Sequence, residues 1–234
     1  MHTRLSRYLA CLVFSVLAFP ALAQNIPDPA SWEPAMQAFD AIDAASPPPA
    51  GAIVLTGSSS IARWNEQAAE ALTPLTVIAR GFGGSVMGDV LFHLDRVALR
   101  YNPRAILIYE GDNDTAYDIP TGTIVEQLQQ IISRVHDQLP QTRIYIMAVK
   151  PSLSRSHIWN RAQEVNARYQ ALAASDPLVT YVDSATPFLE ADGTVMDDIF
   201  IEDDLHFNAK GNLIWGAIIR AALMPREIRH EQEQ

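Results

Sequence analysis

The sequence predicts a single α/β domain in three layers, with about five parallel strands in one sheet and helices on both faces. Three observations predict it. Short runs rich in β-branched residues recur along the chain, each run is apolar throughout, and helix-length segments with a 3.6-residue apolar rhythm separate them. A strand that is apolar on both faces needs cover on both, and helical crossovers between parallel strands supply it.

The strands are expected at Ala52 to Thr56, Leu75 to Ala79, Ala105 to Tyr109, Arg143 to Ala148 and Val179 to Val182. Between the second and third, Val86, Val90, Leu91, Leu94, Val97 and Ala98 form one helical stripe, and Pro103 closes the segment. Segments 121–138, 158–174 and 208–222 carry comparable helical patterns. Ahead of the first strand, a short apolar-periodic stretch from Trp32 to Ile42 and the breaker-rich connector ASPPPAG at 45–51 belong to a lead-in over residues 24–50. The patterned domain then covers 51–225, and residues 226–234 read as a polar tail.

Residues 1–23 place Arg4 and Arg7 before an apolar run that ends in Ala21, Leu22 and Ala23, the pattern of a cleavable secretory signal. The mature chain is expected to begin at Gln24 and to be exported, to the periplasm or the medium. As a membrane anchor the segment is too short. Tyr8 to Leu22 is 15 residues interrupted by Pro20, against the roughly 20 needed to span a bilayer. Cleavage removes Cys11, the one cysteine, so no disulfide framework is expected and the core must hold the fold. The formal charge of the whole chain is −10, and without Arg4 and Arg7 the balance is 15 basic against 27 acidic residues, a charge of −12. Such a surface argues against nucleic acid or an anionic membrane as partner. Asp112, Asp114 and Asp118 suggest calcium, but their loop lacks the glycine and terminal glutamate of a calcium-binding loop, and no metal site is expected.

Ligands of such sheets meet the carboxyl ends of the strands, and polar residues gather there. The first strand runs into Gly57, Ser58, Ser59 and Ser60, the second into ARGFGGS at 79–85, and the third into YEGDNDTAYD at 109–118; IEDDLHFNAKG at 201–211 precedes the last helix. A dinucleotide fingerprint fails because Val86 stands at its third glycine, and a phosphate loop fails because Asp89 replaces its lysine. The G-x-S-x-G nucleophile elbow fails at Ile61. Serine, glycine, asparagine, aspartate and histidine remain. A serine becomes a nucleophile when an imidazole takes its proton, and a carboxylate fixes that imidazole's tautomer. Asp203 and His206, three apart, supply such a pair, while the Gly84 N–H and the Asn113 amide are suited to an oxyanion. His157 is the rival base. Its loop, PSLSRSHIW, also reads as a substrate wall, with Arg155 for charge and Trp159 for an apolar face. His206 is preferred because it alone has a carboxylate close by in a loop able to descend on the serine. Ser58 and Ser60 are expected to cap the following helix.

Together, TGSSS around Ser59, Gly84 in RGFGGS, Asn113 in GDND and Asp203 to His206 in DDLHFNAKG resemble, in order, the four blocks of the SGNH or GDSL family of hydrolases. The resemblance implies a flavodoxin-like α/β/α sandwich and cleavage of carboxylic esters without a cofactor. Carried over residue by residue, it makes Ser59 the nucleophile, Asp203 and His206 its partners, and the Ser59 and Gly84 N–H groups with the Asn113 amide the oxyanion hole. Ser58 departs from the aspartate that many members have there, which weakens the choice among the three serines. The stretch Lys150, Pro151, Ser152 resembles the family's substrate-side loop more loosely. With no lid insertion evident, the expected substrate is a short acyl or acetyl group on a carbohydrate or other small polar carrier. The alternative is a catalytically weak secreted module that binds a glycan or envelope component; a complete set of nucleophile, base and oxyanion donors argues against it.

Overall fold

The computed structural model describes residues 26–231; the segment read as a secretory signal, with Cys11, lies outside them. In chain order the elements are α1 (Glu33–Ala45), β1 (Ile53–Gly57), α2 (Ser59–Ala62), α3 (Ala68–Ala71), β2 (Val77–Gly81), α4 (Met87–Phe92), α5 (Leu94–Val97), β3 (Ala105–Tyr109), α6 (Asp112–Ala116), α7 (Thr121–Gln138), β4 (Arg143–Met147), α8 (Trp159–Ser175), β5 (Val179–Val182) and α9 (Ala209–Glu227). The five strands form one sheet in the order β2-β1-β3-β4-β5, every pair parallel.

Alternation along each strand divides the core in two. Val54, Ile106, Ile108, Ile144 and Ile146 face one cluster, closed by α1, α4, α5, α7 and α8. Ile53, Leu55, Leu107, Tyr109, Tyr145 and Met147 face the other, closed by α2, α3 and α9, where Trp215, Ile219 and Leu223 are fully buried. The fold is the three-layer sandwich that the apolar strands require.

The larger departures from expectation fall in the second strand, in the helix after it, and in the last helix, which runs to Glu227 and not to 222. The second strand begins two residues late because the Leu75 N–H closes a turn onto Leu72 and the Thr76 N–H is taken by Glu231 at 2.7 Å. Its other end extends through Arg80 and Gly81, which pair with Thr56 and Gly57. Arg80 is buried there because Asp43 of α1 and the Tyr101 hydroxyl, at 2.9 Å, receive its guanidinium. The helix expected from Val86 onward is broken at His93, whose Nε2 meets the Pro29 carbonyl at 2.8 Å, so two short helices replace one. The lead-in packs onto the sandwich: Met36 and Phe39 of α1 are buried in the first core cluster. The polar end is anchored as well. Glu227, fully buried, accepts from Arg143 at 2.6 and 2.7 Å and from the Tyr145 hydroxyl at 2.7 Å, and Glu231 pairs with Arg104.

From β1 the chain winds outward to β2 and then returns across β1 to β3, so the winding reverses between β1 and β3. Where the winding reverses in such sheets, the loops that follow the two strands diverge, and the crevice at their carboxyl ends is where ligands are expected.

Candidate active site

Ser59 reaches that crevice because β1 ends on a glycine. Gly57 has φ +132°, and a Cβ there would stand 2.1 Å from the Tyr109 carbonyl oxygen, so a side chain is excluded. The Ser58 N–H bonds that same carbonyl at 3.1 Å. Ser58 and Ser60 are buried, whereas Ser59, the first residue of α2, is half-buried. Ser58 occupies the N-cap position, but its side chain makes no capping hydrogen bond, contrary to the role expected of it.

His206 comes to Ser59 from 147 residues away: its Nε2 lies 2.8 Å from Ser59 Oγ. Its Nδ1 lies 2.6 Å from Asp203 Oδ2. Asp203 Oδ1 accepts the N–H groups of Leu205 at 3.0 Å and His206 at 2.8 Å, which sets the carboxylate and the ring in one turn. Burial raises the Asp203 carboxyl, but the His206 N–H, the His206 ring and the Leu205 N–H outweigh it and hold the group well below the usual carboxylate range. The turn is fixed from below. Lys150 Nζ donates to the Leu205 carbonyl at 2.6 Å, and Asn208 caps α9 by accepting the Gly211 N–H at 3.1 Å.

The loop that carries Gly84 passes Ser59 at Gly83 and is joined to Asn113 at Ser85. Gly84 has φ +87°, and a Cβ there would lie 3.1 Å from the Trp32 ring; a Cβ on its neighbour Gly83 would lie 3.8 Å from Ser59 Cβ. Asn113, buried in α6, donates from Nδ2 to the Ser85 carbonyl at 2.9 Å, which ties it to the residue after Gly84. Its Oδ1 accepts from Arg155 Nη2 at 2.8 Å, and Arg155 Nη1 donates to Asp112 Oδ1 at 2.5 Å.

The three residues expected to form a substrate wall therefore separate. Arg155 and His157 line an open concavity of about 520 Å³ with Thr115, Asp118, Ser154 and Ile158. Arg155 nevertheless commits its guanidinium to Asp112 and Asn113. Trp159 begins α8 and packs against the first core cluster. His157, the rival base, is exposed on the rim. Lys150, Pro151 and Ser152 are buried, so this stretch supports the His206 turn from within.

Sequence reasoning missed several residues. Trp32 covers Gly84 from the lead-in, and its one signal was an aromatic residue in an apolar stripe. Lys150 is fully buried with its Nζ 4.9 Å from the Phe207 ring centre, and burial lowers its pKa to about 8. Behind Asn113, burial pushes Asp114 up to about 7, although its carboxylate accepts the N–H groups of Met87 and Gly111 at 2.9 Å. Glu110, fully buried, is raised well above its usual value by burial and by Asp114, and it accepts the Ser85 hydroxyl at 2.5 Å. Among the described residues, no helix is long and apolar enough to cross a membrane, and no three His, Cys, Asp or Glu side chains gather as a metal site.

Known structures share this architecture. A GDSL-like lipase from Bacteroides thetaiotaomicron superimposes with TM-score 0.70 at 18% identity, covering 81% of this chain and 97% of the other. A lipase/acylhydrolase from Enterococcus faecalis gives 0.61 at 24%, covering 74% and 95%, and a catalytic mutant of an acetylxylan esterase from Geobacillus stearothermophilus gives 0.60 at 12%, covering 74% and 93%. A search of curated proteins found none that matches. The family described as GDSL-like Lipase/Acylhydrolase matches residues 46–214, which carry Ser59, Gly84, Asn113, Asp203 and His206 together. The chain belongs to that family and is a carboxylic ester hydrolase.

Proposed function

We propose that the protein removes a short acyl group, acetyl foremost, from a carbohydrate or other small polar carrier through an acyl-enzyme on Ser59. The observation that carries this reading is the continuous pair of contacts from Ser59 Oγ through the His206 ring to Asp203, at 2.8 and 2.6 Å. His206 Nε2 takes the hydroxyl proton as Oγ attacks the ester carbonyl, while Asp203 stabilises the imidazolium at Nδ1. The carbonyl oxygen becomes an oxyanion. The N–H of Ser59, in the first turn of α2 and thus without an intrahelical acceptor, receives it with the Gly84 N–H and the Asn113 amide. His206 then protonates the departing alcohol. Water, deprotonated by the same ring, attacks the acyl-enzyme and releases the acid, so every proton is moved by His206 and no cofactor enters the steps.

The concavity lined by Arg155 and His157, linked to Asn113 through the Arg155 guanidinium, favours a polar carrier. Thr115, Asp118, Ser154 and His157 outnumber its apolar contributors, Ala116 and Ile158, which leaves little surface for a long acyl chain. Export is part of the proposal, on the strength of the signal pattern at residues 1–23, and intact mass of exported material should begin at Gln24; material retaining those residues sinks this part.

The main test is covalent. A fluorophosphonate should label wild-type Ser59, and Ser59→Ala should fold, resist labelling and lose turnover of p-nitrophenyl acetate by several orders of magnitude. An adduct on Ser58 or Ser60, or undiminished turnover in Ser59→Ala, overturns the assignment. A faster rate on long-chain than on acetyl esters overturns the substrate class alone.

A further inference from the structure

We propose that Arg155 is a positioning residue that holds the Asn113 amide in its donating orientation; the inference rests on the reading of Asn113 as an oxyanion donor. A primary amide has two nearly isosteric ends, and rotation by half a turn exchanges donor for acceptor. Asn113 is held against that rotation at both ends. Nδ2 donates to the Ser85 carbonyl at 2.9 Å, and Oδ1 accepts from Arg155 Nη2 at 2.8 Å. A flipped amide would set its carbonyl against the Ser85 carbonyl and its NH₂ against the guanidinium, losing both bonds and opposing like partners. In the orientation present, the Ser85 carbonyl uses one Nδ2 hydrogen and the second remains for a ligand.

Arg155 is suited to this task because it is itself fixed. Its Nη1 donates to Asp112 Oδ1 at 2.5 Å, so one planar fork spans two consecutive residues of α6. Lys150 Nζ stands 4.0 Å from the other Asp112 oxygen while donating to the Leu205 carbonyl in the turn of the catalytic base. Asp112 thus lies between two cations, one gripping the proposed oxyanion donor and the other the turn that carries Asp203 and His206. A charged donor on Oδ1 also draws electron density from the amide, which makes the remaining N–H a stronger donor as charge develops on the substrate.

The test is a double-mutant cycle between Arg155→Ala and Asn113→Ala with p-nitrophenyl acetate. Arg155→Ala should lower kcat by about tenfold or more with KM changed less than about threefold, because an oxyanion donor acts on the transition state. In the Asn113→Ala background, Arg155→Ala should cost less than about twofold more, since the group it positions is gone. Added guanidinium ion should restore part of kcat to Arg155→Ala and none to Asn113→Ala. Arg155→Lys, which keeps the charge but not the fork, is read by the same cycle, so a folding defect in the alanine variant does not remove the test. An unchanged kcat, a loss carried by KM alone, or an undiminished Arg155 effect on the Asn113→Ala background overturns the inference. Asn113→Ala turning over at the wild-type rate overturns instead the oxyanion reading on which it rests.

Discussion

Replacing Asp203 by asparagine isolates what the carboxylate charge does, because the substitution preserves shape. The asparagine carbonyl oxygen can still accept the Leu205 and His206 N–H groups, at 3.0 and 2.8 Å in the wild type, so the turn is expected to survive. Its NH₂ would then face His206 Nδ1, 2.6 Å from the present Oδ2, and favour the tautomer with the proton on Nε2. That tautomer cannot take the Ser59 proton. The charge itself matters as well. Unit charges 2.6 Å apart attract by about 1.6 kcal/mol with the dielectric of water and about 6.4 kcal/mol at an effective value near 20. The Asp203 side chain is 40% exposed, which places the pair towards the screened end, at about 3 kcal/mol. The expected result is a fall in kcat of about a hundredfold or more, with thermal unfolding shifted by a few degrees at most. The assay is steady-state hydrolysis of p-nitrophenyl acetate, with Asp204→Asn as the control. Asp204 has a positive φ that asparagine tolerates, and its hydrogen bonds run through its backbone: the carbonyl accepts the Ser154 N–H and the N–H donates to the Ile201 carbonyl. A folded Asp203→Asn protein within about threefold of wild type, or an equal loss in Asp204→Asn, refutes the reasoning.

Gly84→Ala should destabilise the fold by about 1–2 kcal/mol and slow turnover, because a Cβ at φ +87° is strained and would press on Trp32; unchanged stability in urea unfolding contradicts this. Glu227→Ala should cost about 3–5 kcal/mol by leaving Arg143 beside a vacated partner in the interior, and a loss under about 1 kcal/mol counts against it. Asp114 supplies a pH signature. Its folded pKa of about 7 lies above the ordinary 3.8, so its effect on stability is fully favourable below the lower value and fades as pH rises through the higher. Relative to wild type, Asp114→Asn should therefore gain stability as pH rises from about 4 to about 7, and a difference that is flat or of opposite slope refutes the shift.

Much of this architecture was legible because parallel strands are buried on both faces and so are written as continuous apolar runs. Val54 and Leu55 needed no knowledge of their neighbours to be read as strand. The second strand was misplaced by two residues for the opposite reason. Arg80 looks like a terminator until Asp43 and Tyr101, far away in sequence, are seen to receive its charge. The one-turn spacing of Asp203 and His206 was local, and so visible; the joining of that pair to Ser59 followed only from the expected convergence of loops at the sheet's edge. Contacts between loops with no such rule were invisible. Nothing in the spacing of Arg155, Asp112 and Asn113 shows that one guanidinium grips both others, and a substrate-facing role for its charge was the natural reading of an arginine in a polar loop.

The clasp at the chain's end bears on when activity begins. Ser59 is synthesised early, whereas His206 is followed at once by α9, whose far end is tied to the sheet by Glu227 and then by Glu231. A chain emerging amino end first therefore exposes its nucleophile long before a base can reach it, and the last helix must dock before the base is held in register. Hydrolysis becomes a read-out of completed folding. Truncation within α9 should silence the serine as effectively as mutation beside it, and recovery of esterase activity during refolding should coincide with the slowest gain of native structure.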